Sequence, residues 1–163
     1  MAGDVRKLKD EADHALNVAI AKLVGYTVRN SIERYNSSCE DLYYKLVHRG
    51  VDVLSPTKDN WFNGERDTEE DAWEDVPEYC TDPAAAKELQ EIAIDADKLK
   101  YLNALLSLVW PDGDIQFGLG GSMEVVGYNI DATASMLLAT PRQISEAAYV
   151  TLKLEAFSSG VKQ

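Results

Sequence analysis

The sequence predicts an α+β fold: an antiparallel β-sheet packed by an N-terminal helix, a long central helical segment and a C-terminal helix. Three observations carry this. An apolar stripe of helical spacing opens the chain. Ala84 to Trp110 holds neither Gly nor Pro. Segments rich in β-branched and aromatic residues lie between turn signals. The composition, 45 % hydrophobic and 27 % charged over 163 residues, is that of an ordinary globular chain. The length fits a single domain over 1–163 with an acidic loop at about 55–76.

Val5, Leu8, Ala12, Ala15, Leu16, Ala19, Ile20, Leu23 and Val24 recur at spacings of three and four, one face of an amphipathic helix. Asp4 is its expected N-cap and Gly25 its stop. Lys7, Lys9, Asp10, Asp13 and Lys22 fall mostly off the apolar face. Tyr26-Thr27-Val28 is rich in strand formers. Leu42 to His48 reads two ways: Leu42 and Leu46 stand one helical turn apart, whereas the aromatic and β-branched content favours a strand. The strand reading leads to a hairpin, with His48-Arg49-Gly50 turning into Val51 to Leu54.

Ser55 to Asp75 is polar and acidic. Asp67 and Glu70 fit a capping box that starts a short helix through Trp73 and ends before Pro77. Asp82-Pro83 opens the central segment, because Asp accepts hydrogen bonds from free first-turn N–H groups and Pro needs none. Ala85, Leu89, Ile92, Ala96, Leu99, Leu102, Leu106 and Val109 keep one helical face, as one long helix or as two joined near Asp95. Pro111-Asp112-Gly113-Asp114 is a turn. Ile115–Leu119, Met123–Ile130 and Ala134–Ala139 then read as an antiparallel meander. Thr140, Pro141 and Gln143 start the last helix with a capping box. Its core face is Ile144, Ala147, Ala148, Thr151 and Leu152, and Ser158 to Gln163 is a frayed tail.

Several function classes are disfavoured. No apolar run approaches the roughly 18 residues that span a bilayer, so no membrane association is expected. The N-terminus carries no signal-peptide core. Cys39 and Cys80 make no disulfide framework. A net charge of −12 opposes sequence-independent binding to duplex nucleic acid, which needs Lys and Arg against phosphates. His14 and His48 read as surface or structural residues, not as triad members. His and Cys do not fall at zinc-ligand spacing. Asp112 and Asp114 lack the further oxygen ligands of a calcium loop. Gly118 to Ser122 leads into a strand segment, which is not a phosphate cradle. No catalytic residue, metal site or cofactor is therefore expected.

Binding features remain. Trp61, Phe62 and Trp73 lie in or beside the acidic loop, and Tyr79 precedes a helix cap. Such aromatics either stack on a flat ligand ring or anchor the loop to the core. The helix N-termini after Thr81-Asp82 and Thr140-Pro141 offer free N–H groups to a phosphate, with Arg142 nearby. The candidate ligand-binding set is Trp61, Trp73, Tyr79, Thr81, Thr140 and Arg142. Glu69-Glu70-Asp71 with Glu74-Asp75 is either a solvated helix face or a docking surface for a basic partner.

The run Thr68 to Ala86 contains Tyr79-Cys80-Thr81-Asp82, which resembles a turn that opens a helix in small phage and prophage proteins. Ala139 to Ala148 resembles the same family's Thr-Pro start of an Ala-rich helix. Leu16 to Tyr26 is similar to its opening helix. The family is the phage ABA-sandwich domain, with NinX-like proteins as near relatives. Lys87 and Glu88 stand where the family often has a Trp. The resemblance implies a phage accessory protein in the cytoplasm of an infected bacterial host, and it carries over no catalytic residue. It also implies counter-defence by sequestering a nucleotide-type immune signal, a cyclic nucleotide or an ADP-ribose-type ligand, in a homo-oligomer with paired sites. The alternative is an acidic inhibitor that mimics nucleic acid against a host defence nuclease or effector.

Overall fold

The computed structural model describes residues 2–36, 39–53, 65–111 and 130–160. The fold is α+β and divides into two compact units, Met1–Glu78 and Tyr79–Gln163.

The first unit opens with α1 (Ala2–Leu23). The helix starts at Ala2, so Asp4 lies within its first turn and is not the cap. It ends where expected, with Val24 N–H donating to Ile20 O at 3.0 Å and Gly25 at φ +98°. Gly suits that left-handed position because it carries no Cβ. The buried face differs from the expected one. Asp13 and Asn17 are buried with Ile20 and Ala21, whereas Ala12 and Ala15 are exposed. The stripe of small alanines says little about which side faces inward. The bulky Ile20 and its i−3 and i−7 neighbours Asn17 and Asp13 set the inner face.

β1 (Tyr26–Asn36) and β2 (Cys39–His48) pair antiparallel, with Tyr26 opposite His48 and Ile32 opposite Leu42. β3 (Val51–Asp52) pairs with β2, giving the order β1-β2-β3. The strand reading of Leu42 to His48 therefore holds, with the expected turn. Arg49 and Gly50 both have positive φ, 52° and 82°, the pattern of a two-residue hairpin loop whose twist matches the strands. The Tyr26 and His48 rings stack at 4.1 Å, and His48 Nε2–H donates to Val24 O at 3.3 Å. His48 thus joins the helix end to the hairpin end.

After β3 the pairing resumes at Arg66, whose N–H and C=O both bond to Tyr44, at 2.9 and 2.8 Å. α2 (Glu69–Trp73) follows. Its N-cap is Thr68, one residue later than Asp67: Thr68 Oγ1 accepts from Asp71 N–H at 3.1 Å and donates to Asp71 Oδ2 at 2.7 Å. Ala72 and Val76 join Leu46 and Val47 in the buried set.

The second unit is helical among its described residues. α3 (Pro83–Val109) starts on the expected Asp82 cap, which accepts from Ala84 N–H at 2.8 Å. It is two helical segments joined at Asp97, where φ −155° and ψ 96° leave the helical region. Asp97 caps the second segment by accepting from Lys100 N–H at 3.0 Å. Gln90 donates to the hydroxyl of buried Tyr101 at 3.0 Å across the bend.

α4 (Ile130–Leu137) replaces the strand expected over Ala134–Ala139 and the last residue of the one expected over Met123–Ile130. Leu138 N–H bonds back to Ala134 O at 3.1 Å, four residues earlier. The other meander positions, the Asp112-Gly113-Asp114 turn and the glycine run lie outside the described residues. α5 (Pro141–Gly160) carries the expected capping box: Gln143 Oε1 accepts from Thr140 N–H at 2.9 Å, and Thr140 Oγ1 accepts from Gln143 N–H at 3.3 Å. The helix runs to Gly160, beyond the point where fraying was expected. Ala147, Ala148 and Thr151 are buried as expected, and Ser145 joins them. The small residues Ala86, Ala93, Ala147 and Ala148 allow α3 and α5 to approach closely.

Candidate functional site

Glu65 to Glu78 holds eight acidic residues and one cation, Arg66. The backbone of Arg66 is fixed by its pair of bonds to Tyr44. Its guanidinium grips Asp75 with two parallel hydrogen bonds, Nε to Oδ2 at 2.9 Å and Nη2 to Oδ1. The two side chains are only 13 % and 4 % exposed. The bond to Asp75, more than the surrounding acids, raises the Arg66 pKa above its ordinary value. The one cation of the strip is thereby engaged within it, and Asp67, Glu69, Glu70, Glu74 and Glu78 are exposed. Lys22 Nζ sits 4.7 Å above the Trp73 ring and ties the end of α1 to α2.

A second polar group lies on the sheet. Asp52 accepts from Arg29 at 2.7 Å and lies 3.8 Å from Lys45 Nζ, which is 3.2 Å from Glu65. An open groove of about 500 Å³ runs beside it, lined by Thr27, Arg29, Asn30, Tyr44 and Glu69 among others. In the second unit a smaller groove, about 350 Å³, lies over Leu108, Glu146, Tyr149 and Val150.

Cys80 is a buried free thiol. Burial, reinforced by the Glu146 carboxylate, pushes its pKa up to about 11, and a hydrogen bond with Ser145 offsets part of that. Ser145 Oγ donates to Tyr79 O at 2.7 Å, and Arg142 Nε pairs with Glu146 at 2.8 Å. A thiol held protonated is a poor nucleophile and a poor metal ligand.

The six sequence-derived ligand residues do not form one stacking and phosphate site among the described residues. Trp61 lies outside them. Trp73 is half-buried beneath Lys22 in the first unit. Tyr79, Thr81, Thr140 and Arg142 belong to the second unit. Tyr79 is buried, Thr81 is exposed, Thr140 is engaged in its own capping box and Arg142 in its pair with Glu146. Sequence reasoning missed Arg66, Asp75, Ser145 and Glu146 as partners. One signal was available: a lone Arg inside an acid-rich stretch has a carboxylate to meet wherever the chain folds back.

Among the described residues no group of three or more His, Cys, Asp or Glu side chains is placed to hold a metal ion, and no helix is long and apolar enough to cross a membrane. The fold and this strip define an α+β protein with an acidic surface segment anchored by the Arg66–Asp75 pair and the Arg66–Tyr44 bridge. The chain matches no protein-family model, no curated protein and no solved structure.

Proposed function

We propose that this chain is a non-catalytic binding protein whose acidic strip docks on a basic, nucleic-acid-binding surface of another protein. The observation that carries this reading is the Arg66–Asp75 pair. It consumes the strip's only cation and fixes α2 on the Tyr44 edge, so that exposed carboxylates stand on a rigid support. Preorganised charge of one sign steers association and specifies a partner of opposite sign. Such a role accords with the resemblance to phage accessory proteins and with inhibition of a host defence nuclease or effector by mimicry of nucleic acid. The test is competition with a DNA duplex for basic nucleases, at low and at physiological salt. Competition should weaken steeply with salt and vanish in the triple variant Glu69→Lys, Glu70→Lys, Glu74→Lys. Competition that survives charge reversal, or none against any basic nuclease, overturns the reading.

A second reading is sequestration of a nucleotide-type signal. The groove on the hairpin favours it: its volume suits a small ligand, and Arg29 and Tyr44 offer a cation and a ring. Thermal melting with cyclic dinucleotides, cyclic ADP-ribose isomers and ordinary nucleotides tests it. A ligand at one hundred times its Kd adds about 2.7 kcal/mol. A shift from one compound class, with the compound recovered intact, supports this reading. A flat panel sinks it for those compounds.

A further inference from the structure

β1 is the edge of the sheet, and among the described residues no strand pairs with its outer side. It is 11 residues long, about twice the usual strand. Long bare edges are templates for pairing and are normally blunted. The hydrogen-bond phase of this edge can be read from its neighbour. Tyr44 exchanges both backbone bonds with Arg66, so its N–H and C=O point away from β1. Tyr44 and its β1 partner Asn30 are therefore a non-hydrogen-bonded pair, and the N–H and C=O of Asn30 point outward. By the period of two, so do those of Val28 and Ile32.

We propose that β1 pairs antiparallel with β1 of a second copy of this chain, about a two-fold axis at Ser31. The midpoint of Tyr26–Asn36 is Ser31, so full overlap of the two strands places the axis there. Asn30 then lies opposite Ile32 of the second copy, and their outward groups exchange both bonds. Ser31 lies opposite itself in a close, non-hydrogen-bonded pair, where a small side chain fits.

The charges agree with this register. Arg29 pairs with Lys45 across the hairpin, and Glu33 with Asp41. The symmetric register brings position 29 opposite position 33. A row of two basic register positions, 45 and 29, then continues into two acidic ones, 33 and 41, of the second copy. Symmetry makes this row twice. Arg29 is bonded to Asp52 but is still 55 % exposed. On the other face Ile32 and Leu42, cross-strand partners, are 59 % and 50 % exposed. The register sets them beside Asn30 and Tyr44 of the second copy, which would cover part of their exposed apolar surface. On each outer side β2 would then carry the two-residue β3 and the Arg66 bridge.

The experiment is sedimentation and covalent capture of the full chain. The wild type should sediment as a dimer at micromolar concentration. Arg29→Glu sets like charges opposite Glu33 twice and should weaken the dimer by at least about tenfold. The double variant Arg29→Glu/Glu33→Arg should restore it, with far-UV circular dichroism unchanged throughout. In a Cys39→Ser background, Ser31→Cys should form an intermolecular disulfide under mild oxidation, because facing positions in such a pair lie within disulfide reach. Asn30→Cys should not. A monomer at 100 µM (about one hundred times that working range), a dimer indifferent to Arg29→Glu, or equal capture by Asn30→Cys overturns the proposal.

Discussion

Removing one half of the Arg66–Asp75 pair is the sharpest perturbation the structure offers. Asp75→Ala leaves a guanidinium that is 13 % exposed with no carboxylate on its fork. Taking one partner from a buried ion pair costs about 3–5 kcal/mol, because the remaining charge stays desolvated. The residual exposure of Arg66 lets some water reach it, so the low end, about 3 kcal/mol, is the appropriate figure. Each kcal/mol moves the midpoint of a unit of this size by about 4–8 °C, so the loss exceeds roughly ten degrees. The assay is thermal and urea unfolding of the full chain, with amide exchange reporting on Tyr44 and Arg66. Those two amides should lose protection first, because their paired bonds are held by the same side chain. Arg66→Met/Asp75→Leu removes both charges and should recover most of the stability. A single variant that costs under about 1 kcal/mol would mark an ordinary surface pair and refute the argument.

Three further outcomes follow from local geometry. Gly50→Ala forces a Cβ into φ +82° and should cost about 1–2 kcal/mol in urea unfolding, although nothing stands within 4 Å of that position; no loss would show that the turn relaxes. Cys80, with a pKa near 11 against an ordinary 9.0, should carry about one hundredth of the usual thiolate at pH 8. It should label correspondingly slowly with a maleimide until urea is added, and fast native labelling mapped to Cys80 by mass spectrometry would contradict its burial. The hydrogen bond from Lys100 N–H holds the Asp97 carboxyl below its ordinary value. Its stabilisation is therefore present above the ordinary carboxylate pKa and lost as pH falls through the lowered one. Lys100 amide protection should drop on that acid limb in the wild type and not in Asp97→Asn, which caps without titrating.

Of the four expected caps, those at Asp82 and Thr140 were legible because their chemistry is local, whereas α1 begins before Asp4 and Thr68 caps α2 in place of Asp67. Asp82-Pro83 and Thr140-Pro141-Arg142-Gln143 each satisfy free helix N–H groups with residues three or fewer positions away, and both helices start where the sequence put them. The Arg49-Gly50 turn was legible for the same reason. Ile130 to Leu137 was not. Ile130, Ala132, Ala134 and Met136 alternate with Asp131, Thr133 and Ser135, a pattern of period two that reads as a strand. Ala, Met and Leu prefer helix, and four-residue hydrogen bonds prevail over the alternation. The burial of Asp13 and Asn17 was hidden because an alanine stripe marks two helix faces almost equally. The candidate site was less legible than the fold. Arg66 and Asp75 are nine residues apart, and no local rule joins them; the pairing of Arg66 with Tyr44 decides it.

Arg66, which anchors the acidic strip, and the β1 edge lie on opposite sides of β2, which makes the coupling of strip and edge testable. In the two-fold pairing proposed above, the strand positions run from Arg66 of one copy to Arg66 of the other in five inter-strand steps of about 4.8 Å, roughly 24 Å. A basic surface wide enough to meet both strips gains by effective concentration, whereas one that meets a single strip gains nothing. Competition against a DNA-binding protein with an extended basic groove should therefore weaken by more than tenfold in Arg29→Glu and recover in Arg29→Glu/Glu33→Arg, which has the wild-type net charge. Competition against a short basic peptide should stay the same across all three chains. If the peptide responds as strongly as the protein, the effect of position 29 is direct charge contact and the two surfaces are not coupled through assembly.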